Sequence, residues 1–410
     1  MPAPTFKLTL RYAGGPAFGP TLVLNSAASP LGTGVFGTST NDPIDITAYC
    51  TQALIRRGRT RVLDKFEAGV ASFDLIDEDG TFDPENGTFG NPAPMLQVRM
   101  TGTFGGSERF LFSGFTQEFD YQWDPNLGAA GATRITVTCV DAFRAFYLST
   151  ITAVTGTSAG QTGDQRIDDI LDDLNWPTGV RDLDTGDTTL VDDDGSARTA
   201  LEAMQAVATA EMGGFWIDVN GDVRFMSRSN TITTGRGTPT VFDDDGSDIA
   251  YQAVDFEMDE QLLINEVSIT RSGGSAQTAS DATSITNYFQ RNYTRTGLLM
   301  DSDAQAQSYA DTILAARKDP ELRIKSITLN MDDPAATTRV AAGLDLDFFS
   351  PIQVTRSTPG SHRITKNLVV QGVTHDISPH SWSTTLNTAE LIAAGFILDT
   401  DKLGTGVLGF

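Results

Sequence analysis

Two cysteines, Cys50 and Cys139, are the only thiols in 410 residues. They allow at most one bridge, form no CxxC or Cys/His metal spacing, and read by default as buried free thiols. Histidine is almost as scarce, with His362, His375 and His380 alone. His375 and His380 stand five residues apart across Pro379, and the sequence announces no third ligand to make them a metal site. There is no G-x-S-x-G elbow, no H-E-x-x-H pair and no P-loop. Two carboxylates would suffice for glycosidase chemistry, but among 53 acidic side chains their presence decides nothing. The expectation is a non-enzymatic chain with no cofactor, no metal and no catalytic residue. No stretch approaches the roughly 20 apolar residues of a membrane span, and residues 1–7 lack a basic segment leading into an apolar run. Cytoplasmic synthesis without a membrane anchor is expected.

Positive charge is the other shortage. Against 53 acidic residues stand 29 basic ones, a formal charge of −24. That balance excludes wrapping duplex DNA through its phosphates, which requires clustered cations. What is present is ordinary globular material, 40% apolar and 20% charged, enough for two to four domains at usual sizes. With 39 Gly and 17 Pro and few long helical patterns, short strands and turns should dominate.

The organising stretch runs over residues 44–86. Ile44 and Ile46 alternate with Asp45 and Thr47 at strand period, and Leu54 and Ile55 lead into Arg56-Arg57-Gly58-Arg59. Residues 66–75 read as a second strand, stopped by Asp77-Glu78-Asp79-Gly80, and Pro84 blocks any helix after it. A first strand carries Phe6, Leu8 and Leu10 on one face, and residues 27–41 read as an exposed polar loop. Further strands are predicted over 96–100, 110–112, 115–121 and 135–139, with a short helix over 141–148. After a small-residue boundary at 149–163 the period changes. Helices are predicted over 164–174 and 199–212, then a hairpin turning on Asn220-Gly221. Strands return over 262–270 and 285–293, separated by a loop over 273–284. A helix capped by Ser302 or Asp303 presents Ala306, Tyr309, Ala310 and Ile313. Strands over 323–330, 352–355, 368–375 and 382–386 close the pattern.

Asp77/Asp79/Asp83, Asp192–Asp194 and Asp243–Asp245 superficially resemble calcium loops. Their spacing fails, since Gly80 comes two positions early and strands flank it, so turn chemistry is the reading preferred. The cluster Arg56, Arg57, Arg59 and Arg61 opposes the background charge. Arginine suits fixed ion pairs across an interface, and an inter-subunit or neighbour-ring contact is expected there, with a solvated strand end as the bland alternative.

The ordered series Asp45-Ile46-Thr47, Arg57-Gly58-Arg59, Phe66-Glu67-Ala68-Gly69, Asp79-Gly80 and Phe82-Asp83-Pro84-Glu85-Asn86 resembles the minor tail proteins of long-tailed bacteriophages, the tail hub family. Residues 203–225 and the run Gly372-Val373-Thr374-His375-Asp376-Ile377-Ser378-Pro379, followed by Trp382, Thr384 and Leu386, fit the same family. The resemblance implies a mainly β chain with α+β parts. Two tail-tube-like β-barrels, over 1–150 and 251–390, would flank an α+β domain over 151–250, with a helix inserted in the second barrel. A docking tail over 391–410 would present Phe396, Leu398, Leu408 and Phe410. It implies a homotrimer at the distal end of the virion tail, binding a distal tail ring protein on one face and a tail tip or fibre protein on the other. The tape-measure protein would end there, and DNA would pass without specific binding, which an acidic wall favours. The acidic excess serves solubility equally well. The rival readings are a hexameric distal tail ring protein, a polysaccharide-degrading tail enzyme and a receptor-binding adhesin.

Overall fold

A computed structural model describes residues 4–12, 18, 43–127, 131–333, 335–358 and 362–392. The expected loop over 27–41 and the tail residues Phe396, Leu398, Leu408 and Phe410 lie outside the described residues. The protein is mainly β with α+β parts.

The first strand, β1 (Thr5–Arg11), buries Leu8 and Leu10 completely, as their alternation predicts. The strand expected at 44–47 shrinks to two residues, β2 (Ile44–Asp45). The Asp45 carboxylate accepts both the N–H and the hydroxyl of Thr47, which turns the chain into a 3-10 turn at Thr47–Tyr49. Then follow β3 (Cys50–Gly58), β4 (Glu67–Asp77), β5 (Gln97–Phe104), β6 (Ser107–Asp124) and β7 (Ala132–Val140). The two strands predicted at 110–121 are thus one long strand. In space the order is β3-β4-β7-β6-β5-β1. The carboxylate of Asp77 accepts the N–H groups of Thr81 and Phe82, and Asp83 accepts those of Glu85 and Asn86, so these aspartates cap the turn.

Helix α1 (Phe143–Leu148) leads into a mixed layer of β8 (Thr150–Ile151), α2 (Gly163–Asp173), β9 (Arg181–Leu183), β10 (Arg198–Thr199), α3 (Ala200–Glu211), β11 (Gly214–Ile217), β12 (Val223–Met226) and α4 (Arg228–Gly235). Capping boxes at Thr162/Gln165 and Thr199/Glu202 start α2 and α3. The β11–β12 connection is wider than the two-residue turn expected from Asn220-Gly221. Ile217 pairs with Val223, and Asp218 organises the intervening loop by accepting the N–H groups of Asn220 and Asp222.

The C-terminal half contains β13 (Thr240–Asp243), β14 (Ile249–Ala250), β15 (Ala253–Glu257), β16 (Glu266–Arg271), β17 (Ala276–Ser280), α5 (Ala282–Tyr288), β18 (Asn292–Leu298), α6 (Asp303–Arg317), β19 (Arg323–Asn330), α7 (Thr337–Asp345), β20 (Pro351–Thr358), β21 (His362–Ser378) and β22 (Ser381–Ala389). The strand expected over 285–293 is replaced by α5 and the start of β18, because Asp281 caps the N–H of Ser284 and initiates a helix. The loop expected over 273–284 contains β17.

Two half-sheets, one from β1 to β7 and one from β13 through β15 with β19 to β22, join along a seam. Residues 372–377 of β21 pair antiparallel with residues 53–58 of β3, giving one continuous 14-stranded sheet. A single core spans both halves, with Leu8, Phe73 and Val137 from the first and Ile327, Val354 and Leu386 from the second. A second core joins Ile167, Val207 and Phe225 of the mixed layer to Val267, Ile269 and Ile313. The segment from β16 to α6 therefore forms its own sheet, β17-β16-β18, and its apolar face packs on the mixed layer.

Candidate functional site at the seam

The basic cluster lies where β3 ends. Strand alternation separates its members: Ala53, Ile55 and Arg57 face inward, while Arg56 faces out and is exposed. Among the described residues Arg56 has no ion-pair partner. Arg57 is 6% exposed, and its guanidinium forks onto Asp347 at 3.2 and 3.3 Å while donating to the Ile217 carbonyl at 3.4 Å. Its guanidinium carbon sits 4.8 Å from the centroid of the Phe348 ring.

Gly58 follows with φ of +99°, and a Cβ there would lie 2.4 Å from the Gln371 carbonyl oxygen and 2.5 Å from the Gly372 Cα. Only glycine permits that approach of the two backbones. Arg59 then donates its backbone N–H to Gln371 O at 2.9 Å and its Nε to Gln371 Oε1 at 2.7 Å. The Arg59 guanidinium lies over Phe66 at 4.5 Å and Phe349 at 5.7 Å, and burial pulls its pKa down to about 9. Arg61 makes an ordinary surface pair with Asp259 at 3.2 Å.

Around these charges Phe66, Trp216, Phe348 and Phe349 pack with ring centroids 5.2–5.8 Å apart. Beside them a cavity of about 80 Å³ is lined by Arg59, Phe66, Phe215, Arg295, Tyr309 and Gln371, among others. Nearby, Asp141 accepts the N–H groups of Gly69 at 2.6 Å and Phe143 at 2.9 Å, and burial lifts its carboxyl to about 7. In the second half His375 lies buried, its Nδ1 2.9 Å from Thr384 Oγ1, and burial followed by the Arg57 charge lowers it to about 3. His380 sits exposed in the β21–β22 turn. The aspartates of the other calcium-like runs face arginines: Asp193 pairs with Arg198, and Asp243 and Asp245 pair with Arg363.

Of the four arginines read as one surface cluster, Arg57 and Arg59 are therefore used within the chain, and Arg56 and Arg61 stay at the surface. Guanidinium groups held between a carboxylate, carbonyls and aromatic faces fix geometry and conduct no proton or group transfer by themselves. The partners Asp347, Phe348, Phe349, Trp216 and Gln371 carry no local sequence signal. What brings them together is the pairing of β3 with β21.

The fold is one that this chain shares with phage tail proteins of known structure. The 43 kDa tail protein of prophage MuSo2 from Shewanella oneidensis is similar at a TM-score of 0.58 and 10% identity, over 94% of this chain and 98% of that one. A tail protein from Neisseria meningitidis MC58 is similar at 0.59 and 13% identity, over 94% of this chain and 96% of that one. No family model matches the sequence, and no curated protein matches it.

Proposed function

We propose that this chain is a structural protein of a phage tail, a trimeric hub that closes the distal end of the tail tube. The observation that carries this reading is the fold shared with two tail proteins along nearly the whole of each chain. In this reading each half-sheet serves as one tube-like barrel, over 1–150 and over 251–390 with β13 and β14 added to the second, so that three chains would offer six similar units to a sixfold tube. The mixed domain over 151–250 buttresses them.

In this reading one face of the ring binds a distal tail ring protein, and the other binds a tip or fibre protein. The hub also holds the tape-measure end until DNA passes, and does so without enzymatic chemistry. Arg56 and Arg61 remain on the surface for contacts with acidic strands of a neighbour. The net charge of −24 keeps a sliding polyanion from sticking.

Native mass spectrometry of the concentrated protein tests the stoichiometry. The expected species holds three copies of the 43.9 kDa chain. Six copies would favour a distal tail ring, and a monomer that persists at high concentration and high salt would overturn the hub.

A further inference from the structure

The two half-sheets repeat one strand plan. β3, β4, β7, β6 and β5 of the first half correspond in neighbour order to β15, β19, β22, β21 and β20 of the second. The correspondence extends to the irregularities. Between β6 and β7 the register slips from Thr116 to Glu118, leaving Gln117 as the extra residue. Between β21 and β22 it slips from Val370 to Gly372, leaving Gln371 as the extra residue. Both long strands also part from their earlier neighbour two residues before that glutamine, β6 from β5 at Phe115 and β21 from β20 at Val369.

The edges freed in this way have different fates. Beyond Gln371, the edge of β21 from Gly372 to Ile377 is covered by β3. Beyond Gln117, the same edge of β6 has no strand partner among the described residues, and β15, the counterpart of β3, pairs there only with β19. Each of these open edges carries a large exposed apolar side chain. Trp123 near the end of β6 is 62% exposed, and Met258 just after β15 is 69% exposed.

We propose that the two open edges meet between copies of this chain. β15 of one copy adds antiparallel to the far half of β6 of the next, repeating between chains the seam that β3 and β21 make within each. Carrying the internal register across sets Trp123 opposite Val254, Gln122 opposite Asp255, Tyr121 opposite Phe256, Asp120 opposite Glu257 and Phe119 opposite Met258. The joint is heterologous, one edge against a different one, and such a contact makes a ring when its rotation closes, which the hub reading requires. It deepens the hub reading and rests on it for the number of copies.

Charge separates the new joint from the internal seam. Inside the chain Arg56 lies opposite Thr374. Between chains Asp120 would lie opposite Glu257, and like charges directly opposed weaken a strand pair. Acidic side chains along an open edge also hinder indiscriminate pairing. Association is therefore weak at low ionic strength and strengthens as salt screens the acids.

The test uses the full chain carrying Gln122→Cys with Asp255→Cys, and separately Trp123→Cys with Val254→Cys. In an antiparallel ladder, adjacent pairs alternate between the wider and the closer spacing, so one of the two suits a disulfide. Each double variant is concentrated in high salt, mildly oxidised and compared with its single variants on a non-reducing gel. One double variant should give covalent species up to three chains, while Gln122→Cys with Ala253→Cys, two residues out of register, should give none. A three-copy native mass with no cross-link from either matched pair overturns this joint and leaves the hub reading standing. A cross-link with another copy number keeps the joint and overturns the trimer. Absence of both the cross-link and the three-copy mass removes both.

Discussion

The two half-sheets have the same strand plan and different edges. In the first half eight residues connect β3 to β4, and they hold Arg59 and Phe66 against the seam. In the second half the same connection, from β15 to β19, has expanded to hold β16, β17, α5, β18 and α6. The first half gives its β3 edge to β21, whereas the second keeps β15 open. A repeated fold has thus been specialised at its margins: one copy of the edge is sealed by buried arginines and a glycine, and the other stays acidic and accessible.

Breaking the sealed edge should have the largest effect. Arg57→Ala strips the buried guanidinium from the Ile217 carbonyl, the Phe348 ring and Asp347, whose own carboxylate is about a third exposed and can turn to water, so lost hydrogen bonds and packing together cost about 2–4 kcal/mol. Chemical denaturation should show that loss. Arg57→Met, which keeps the packing on Phe348 without the charge, should lose less, because Asp347 is open to water and only the Ile217 carbonyl is left without its donor. An equal stability of Arg57→Met and wild type would show that the pair contributes only shape.

Gly58→Ala should follow. Its Cβ would meet the Gln371 oxygen at 2.4 Å in a left-handed backbone, and strain plus overpacking amount to about 2–4 kcal/mol. The counterpart on the open edge has no such constraint, so Asp259→Ala should change the melting temperature little beyond the loss of one surface pair with Arg61. Similar losses at both positions would erase the distinction between the edges.

How much of this was legible in sequence follows from the reach of each interaction. Period-two alternation exposed β1, β4 and β7, apolar residues at helical spacing marked α2 and α3, and the cap at Ser302 marked α6. These signals act within a few residues. The seam does not: Arg57 meets Asp347 across 290 residues, and Arg59 meets Gln371 across 312. The spacing of Arg56, Arg57, Arg59 and Arg61 suggested one patch, since the chain does not announce which members a strand turns inward. Helix α7 escaped notice because Val340 and Leu344 give it only a thin apolar face. The segment over 285–293 looked like a strand because the helix-starting signal was the side chain of Asp281, four residues upstream of Ile285.

Sharpening the open edge calls for a charge swap. Asp120→Lys replaces a like-charge pair with Glu257 by an opposed one, and such cross-strand pairs are worth about 0.2–1 kcal/mol each. The association constant, measured by sedimentation at low ionic strength, should rise severalfold, and the advantage should shrink in high salt. The melting temperature of the dilute chain should stay close to wild type, since Asp120 is exposed on β6. An unchanged association constant would mean that Asp120 does not face Glu257.

The smallest net effect in the intact chain, where two opposed slopes nearly cancel, compares the halves by pH. Asp141, which follows β7, is lifted to about 7 in the folded chain, against an ordinary carboxylate value of about 3.9. The unfolded chain therefore releases that proton first, and the group's contribution to stability falls as pH rises from about 4 to 7 and is level above. His375, in the second half, is lowered to about 3 against an ordinary value of about 6.5. Its contribution is full above about 6.5 and is lost as pH falls toward 3. Between pH 4 and 6.5 the two slopes oppose each other and largely cancel in the intact chain. Asp141→Asn should unmask the histidine, so that stability rises with pH across this window. His375→Gln should unmask the aspartate, so that stability falls with pH across the same window. Melting curves every half pH unit separate the two, because a change of fold stability alone shifts a curve without reversing its slope. Parallel curves for the two variants would show that neither burial perturbs titration, and that the halves differ at their edges but not in the electrostatics of their interiors.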